Sequence, residues 1–401
     1  MALGLRPRYD PTDPQSSGKA GGGAAERVLT KHPAAAKPLE KPVAFEYSGP
    51  LNETLRPMRL LVTGGAGFIG SAYVRLVRRK RPDALVVNVD VLSYAGNLEN
   101  LRELEGDSKH VFVRADIRDR AKMESLLREH AIEAVVNFAA ESHVDRSIVS
   151  AVPFLDANVG GCVSLLEAAR AAGVRRFLQM STDEVYGSLG PTGKFNELTP
   201  LAPRSPYSAS KAAADHFALA FHHTHGLDVV VARCSNNYGP YQFPEKLIPL
   251  MILNAFEGLP LPVYGDGGQV RDWIHVEDSC EAIDSILERG RSGEVYNIGA
   301  DDERANLDVV RAIIRHCGRD ESLIRRVADR PGHDRRYATD AGKIRGELAW
   351  RPRRRFDEGL AETVAWYRAN DGWASRVRSG AYRSYYEQQY AQRLAPGRER
   401  S

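Results

Sequence analysis

At 401 residues, 43% hydrophobic and 27% charged, the chain has the composition of a globular protein able to bury a sizeable core, in one large domain or two lobes. A net charge of +3 is too small to indicate nucleic acid or a membrane surface as a partner, and no apolar run reaches transmembrane length. The four cysteines, Cys162, Cys234, Cys280 and Cys317, are far apart and form no Cys-x-x-Cys pair, so they are read as reduced core thiols of a cytoplasmic protein, not as a disulfide frame or a metal site.

Residues 1–57 hold 8 Pro, 6 Gly and 8 Ala, 22 of 57 positions, with no sustained periodicity and no apolar stretch of signal-peptide length. They are expected to be a disordered N-terminal extension, with the folded part beginning at Met58, itself a candidate native start. From there β-branched runs alternate with helical patterns. Strands are predicted over 59–62, 85–89, 111–114, 134–138, 177–180 and 229–233, with helical spacing over 68–76 and 162–171. This alternation predicts an α/β fold, a Rossmann-type doubly wound parallel sheet over 58–235. Beyond about residue 236 the pattern is shorter and richer in Pro and Gly. Residues 236–392 are read as a smaller α/β substrate-binding lobe over the carboxyl edge of the sheet, with interleaved boundaries, and 393–401 as a basic tail.

The first predicted strand runs into Gly64-Gly65-Ala66-Gly67-Phe68-Ile69-Gly70 and then a helix. Glycines at this spacing permit a tight turn and let the backbone approach a pyrophosphate at the positive end of the helix. Asp90 follows at the end of the second strand, where a carboxylate binds the adenosine ribose hydroxyls and repels a 2′-phosphate, favouring NAD over NADP. Asp116 is placed at the end of the third strand, able to meet the adenine amino group or to cap a helix.

Further on, Ser181-Thr182-Asp183-Glu184-Val185-Tyr186-Gly187 puts two carboxyl groups side by side after a strand, and Tyr207-Ser208-Ala209-Ser210-Lys211 sets a phenol and an ammonium one helical turn apart. A positive charge nearby favours the phenolate, so Tyr207 is read as a base. A lone Tyr-x-x-x-Lys occurs by chance in many helices; its place behind a glycine-rich loop is what gives it meaning. Consecutive strand residues face opposite ways. Asp183 and Glu184 can therefore reach one substrate only if the chain turns at 182–184, and a turn is predicted there.

These motifs come in order with Asp90–Asn97, Ala139-Ala140-Glu141-Ser142-His143-Val144-Asp145, Cys234–Pro240, Phe243–Pro249, Arg271-Asp272-Trp273 and Asp329–Asp334. Together they resemble the extended short-chain dehydrogenases/reductases that act on nucleotide sugars, and within them the dTDP-glucose 4,6-dehydratases, from Met58 to about Gln392. Asp183 carries the finer resemblance: related epimerases lack the adjacent carboxylates, and GDP-mannose dehydratases and UDP-glucuronate decarboxylases have serine there.

The resemblance implies NAD as cofactor, held by Gly64, Gly67, Phe68, Ile69, Gly70, Asp90, Val91, Leu92, Ser93, Asp116, Ile117, Phe138, Ala139, Ala140, Glu141, Ser142, Ala157, Tyr207, Lys211 and Asn237. Ala157 stands where the family often has threonine, at a cost of one hydrogen bond, about 1 kcal/mol. It implies catalysis by Thr182, Asp183, Glu184, Tyr207 and Lys211. Tyr207 would take the C4 hydroxyl proton, Glu184 the C5 proton, and Asp183 would protonate the departing C6 hydroxyl. A nucleotide-diphosphate sugar would lie against Ser142, Thr182, Asn236, Lys246, Leu247, Pro262, Tyr264, Arg271, Asn306, Arg330 and His333, with His143 behind. It implies a homodimer through 153–172 and 207–224. Rival readings are a UDP-glucose 4,6-dehydratase, a nucleotide-sugar 4-epimerase and a non-catalytic NAD-binding scaffold.

Overall fold

The computed structural model describes residues 58–378. The expected N-terminal extension over 1–57 and the basic tail over 393–401 lie outside the described residues. In β1 (Arg59–Thr63), Leu60 and Val62 enter one apolar cluster and Leu61 the opposite one. This is the alternation a pleated strand imposes when both of its faces are covered. β2 (Leu85–Asp90) repeats it, with Val86 on the first side and Val87 and Val89 on the second. β3 (His110–Arg114), β4 (Ala134–Asn137), β5 (Arg176–Thr182) and β6 (Val229–Cys234) complete the predicted strands, within a few residues of their expected ends.

Three short strands follow, β7 (Asn236–Tyr238), β8 (Leu261–Tyr264) and β9 (Val270–His275), and then β10 (Val295–Ile298), β11 (Glu303–Ala305) and β12 (Ile324–Val327). The main sheet has the order β10-β6-β5-β4-β1-β2-β3, and its strand pairs are all parallel. The order reverses between β1 and β4, which opens a crevice at the carboxyl ends of these strands. β10 comes from the later part of the chain and pairs with β6, so the sheet is not finished at residue 235.

Helix α1 (Phe68–Lys80) covers one face through Tyr73, Val74 and Val77. On the other face lie α2 (Arg120–Glu129), the short α3 (Val144–Val149) and α4 (Val152–Phe154), a π turn over Leu155–Gly160, α5 (Gly161–Ala172) and α6 (Pro206–His225). Helix α6 starts where the sequence directs it. Ser205 and Ser208 form a reciprocal capping box, Pro206 takes the first turn, and Gly226 ends the helix in the left-handed conformation. The later chain adds α7 (Leu247–Glu257), α8 (Val276–Arg289) and α9 (Asn306–Cys317). Helix α8 shares the α1 face, while α7 and α9 pack a separate core around Met251, Ile252, Val309 and Ile313.

Asp116 does not end the third strand: β3 stops at Arg114. Its carboxylate accepts from the Arg118 backbone N–H at 2.9 Å and pairs with the Arg118 side chain at 2.7 Å. The helix cap falls instead to Asp119, which accepts from Lys122 N.

Candidate active site

The glycine loop turns at the carboxyl end of β1. Gly64 has φ +66°, and a Cβ there would lie 2.6 Å from Ala139 N, so glycine is required on both counts. A Cβ on Gly70 would come within 2.2 Å of Gly64 O. Gly67 differs: a Cβ there would meet only Gly64 O, at 3.2 Å, and its open side borders a cavity of about 600 Å³. Helix α1 begins at this point with no side-chain cap and no acidic residue in its first turn. Its free N–H groups and positive end face the space where an anion fits. The buried Asp90 carboxylate borders the same cavity, accepting from Ala66 N at 3.0 Å and Leu92 N at 2.8 Å. These residues fit a dinucleotide's diphosphate and ribose.

The cavity is bordered by Gly64, Gly67, Phe68, Ile69, Gly70, Asp90, Val91, Ser93, Asp116, Ile117, Phe138, Ala139, Ala140, Glu141, Ser142, Ala157, Asn237, Tyr207 and Lys211. Leu92, expected with them, is not among its walls: it has φ +56°, and its half-buried side chain packs against the first apolar cluster.

Thr182, Asp183 and Glu184 border this cavity too. The turn predicted at 182–184 is present. β5 ends at Thr182, and Asp183–Tyr186 form one 3-10 turn, with Thr182 Oγ1 accepting from Glu184 N at 3.2 Å. The break in strand geometry brings both carboxyl groups to one side. Asp183 is 2% exposed and receives hydrogen bonds from Thr182 at 3.3 Å and Thr339 at 3.5 Å. Burial, then Glu184 and Asp272, push its carboxyl well above the ordinary range. Burial also raises Glu184, but Arg330, Arg271 and Lys246 oppose the rise. Of this coupled pair Glu184 ionises first and Asp183 keeps its proton.

Tyr207 sits edge-on to Phe154, ring centroids 6.3 Å apart. Its phenol is pushed above its ordinary value by burial first and Glu184 second. Lys211, one turn further along the same helix, donates its Nζ to Met180 O at 2.5 Å. Anchoring to a β5 carbonyl satisfies a buried ammonium.

A second cavity of about 170 Å³ adjoins the first, and both are bordered by Ser142, Glu184, Asn236 and Lys246. Around it stand Leu247, Pro262, Tyr264, Arg271, Asn306, Arg330 and His333, so the expected substrate residues are brought together. Among the described residues, Oδ1 of Asn236 and of Asn306 are buried without a hydrogen-bond partner, as for atoms that await a ligand. Arg271 is less open than expected. Two of its donors are held by the carbonyls of Val270 (2.8 Å) and Asp334 (3.0 Å), and it stacks on Tyr337 at 4.2 Å. Arg330 pairs with Asp145 at 3.1 Å, and Tyr264 donates to the same carboxylate at 3.1 Å. His333 holds Asp329 at 2.6 Å, and burial lowers its imidazole to about 4.

Sequence reading missed several residues here. Asn158, in the π turn, accepts from Glu141 N at 2.8 Å and donates to Ser210 Oγ at 2.8 Å, joining the cavity wall to α6. A π turn at such a site is a known signal, but only in coordinates. Glu245, between the two cavities, has a side chain 1% exposed, with His143, Arg146 and Lys246 3.7–3.8 Å away. Burial pushes its carboxyl from 4.5 up to about 7. A carboxyl raised on folding contributes stability that is fully present below about pH 4.5 and lost as pH rises through about 7. Glu245→Gln is therefore expected to raise the melting temperature at pH 8 by about 2–5 °C and to leave it unchanged below pH 4.5. Melting curves at both pH values check this; a fall at pH 8 with none below pH 4.5 would mean that the charge is stabilising.

The family model described as GDP-mannose 4,6 dehydratase matches residues 61–363. A dTDP-glucose 4,6-dehydratase of Xanthomonas campestris pv. campestris is 55% identical over 341 residues, covering 80% of this chain and 97% of its own. One of Salmonella typhimurium is 49% identical over 358 residues, covering 83% of this chain and 99% of its own. Among solved structures, dTDP-glucose 4,6-dehydratase from Streptomyces venezuelae with NAD and TYD bound superposes with TM-score 0.78 at 51% identity, covering 80% of this chain and 100% of that one. A UDP-glucose 4-epimerase from Thermus thermophilus with NAD gives TM-score 0.73 at 32% identity, covering 78% and 100%.

Proposed function

Since the chain belongs to the dTDP-glucose 4,6-dehydratase family, we propose that its site converts dTDP-glucose to the 4-keto-6-deoxy sugar for deoxysugar biosynthesis, as an NAD-dependent hydro-lyase. The observation that carries this reading is the turn at Asp183–Tyr186, which sets two adjacent carboxyl groups and Tyr207 at one cavity wall.

The α1 N-terminus and Asp90 would hold NAD at the glycine loop, where it would supply the acceptor for hydride from C4 and the donor of that hydride to C6. Tyr207 acts as the phenolate, which the Lys211 ammonium and the positive charge of a bound nicotinamide would favour against burial; it takes the proton of the C4 hydroxyl, and Thr182 hydrogen-bonds the same oxygen. The ketone so formed acidifies C5, whose proton Glu184 removes. Asp183 protonates the C6 hydroxyl, which leaves as water, and Glu184 returns its proton to C5. The proton gained by Tyr207 balances the one lost by Asp183. Arg271 and Arg330 face the diphosphate, and Asn236, Lys246, Leu247, Pro262, Tyr264, Asn306 and His333 surround the nucleotide.

The test is incubation with dTDP-glucose and UDP-glucose separately, with no added NAD, followed by mass analysis. Loss of water from dTDP-glucose is expected. Turnover of UDP-glucose alone, or a change of configuration without loss of water, would overturn the reading.

We also propose a homodimer. Val149 (87% exposed), Val152 (62%), Leu155 (58%) and Phe217 (43%) are apolar side chains on α3, α4, the π turn and α6, elements that pack side by side. An apolar surface of this kind fits a self-association face. Replacing Val149 and Val152 together by Glu is expected to halve the sedimenting mass, with helical content unchanged. A mass equal to that of the unaltered protein would count against this face. Among the described residues, no helix is long and apolar enough to cross a membrane.

A further inference from the structure

Tyr207 and Lys211 are two members of a longer series. Asp215 follows one turn further on, so α6 presents a phenol, an ammonium and a carboxylate at every fourth residue. Asp215 is 0% exposed. Its Oδ2 accepts from Ser181 Oγ at 2.9 Å and from Arg233 Nε at 2.9 Å, while its Oδ1 meets no donor among the described residues. Arg233, itself 4% exposed, donates to the Tyr186 hydroxyl at 3.0 Å and stacks on that ring at 4.9 Å. Tyr186 in turn donates to Asn297 Oδ1 at 2.7 Å. A continuous buried chain therefore runs from the helix that carries Tyr207 to both ends of the turn that carries Asp183 and Glu184.

We infer that Asp215 is a positioning residue for proton transfer at Tyr207: it is the anion that keeps Lys211 charged inside the protein, and through Ser181 and Arg233 it fixes α6 against the catalytic turn. The surroundings of Lys211 agree. Burial lowers its ammonium, Asp215 from its own helix is the first group to oppose that, and the Cys162 thiol from α5 is the second. Arg233 from β6 and Ser181 from β5 are the groups that meet Asp215. A plain structural ion pair would need no particular helical spacing from Lys211, and would leave the ionisation of the site untouched.

The inference rests on the dehydratase reading, and turnover of dTDP-glucose by the unaltered enzyme tests that reading by itself. Asp215→Asn keeps the shape and removes the charge. The Lys211 ammonium then deprotonates at lower pH, so the alkaline limb of the kcat profile should move down by about one pH unit or more. On the alkaline side of the shifted limb kcat should fall by about tenfold or more, with KM within about twofold. Asp215→Glu should restore most of the alkaline limb. Arg233→Met breaks the same ion pair but leaves the anion, so its alkaline limb should stay or move up. An Asp215→Asn enzyme with an unshifted profile overturns the inference. So does Arg233→Met with a limb moved down like that of Asp215→Asn, and this comparison decides the matter if Asp215→Asn does not fold.

Discussion

Asp183→Asn is expected to lower formation of the dehydrated sugar by about 10²-fold or more, while the C4 ketone still forms. The substitution is nearly isosteric, and burial and the neighbouring Glu184 already push the carboxyl it replaces towards its uncharged form. The amide can still accept from Thr182 and Thr339, so the turn should keep its shape. What is lost is the proton for the departing C6 hydroxyl. Trapping with borodeuteride reads the result directly: label at C4 of an intact hexose, with little loss of water by mass. Undiminished loss of water would remove Asp183 from the role of acid and leave the fold's likeness to epimerases unopposed.

Tyr207→Phe should act one step earlier and harder, by about 10³-fold. The ring that meets Phe154 edge-on is retained, so packing is preserved and only the hydroxyl goes. Without a base for the C4 hydroxyl, neither the ketone nor the acidified C5 proton arises. Borodeuteride should then leave no label at C4, and solvent deuterium should not enter C5. The two variants separate the steps: Asp183→Asn retains ketone formation, and Tyr207→Phe abolishes it. Accumulation of a labelled hexose in both would place the first proton transfer on another group.

The parts of the site visible in the sequence are those whose geometry is local. A glycine-rich turn between strand and helix, two residues one helical turn apart, and adjacent acids after a strand all carry their meaning within a few positions. The parts that were not visible are pairs brought together by the fold: Asp145 with Arg330 across 185 positions, Thr339 with Asp183 across 156, Tyr264 with Asp145 across 119. No periodicity records such meetings. Leu92 shows a different failure. Its neighbours Val91 and Ser93 border the cavity, while Leu92 has a positive φ and its half-buried side chain packs against the first apolar cluster. Lys211 adds a contact that its spacing to Tyr207 does not record, a hydrogen bond to a main-chain carbonyl of β5.

The return of β10 to the main sheet bears on how the chain can be made. β6 is buried along its whole length and pairs with β5 on one side and β10 on the other. A ribosome that has delivered only the first six strands has therefore produced a sheet with a bare apolar edge. That edge stays uncovered until residues 295–298 emerge, some sixty positions later. Such an edge invites pairing with a second nascent chain. A fragment cut at residue 235 would carry the liability permanently, so the nucleotide-binding half is expected to aggregate when expressed alone, even though it holds the glycine loop, the acids and the Tyr-Lys pair intact.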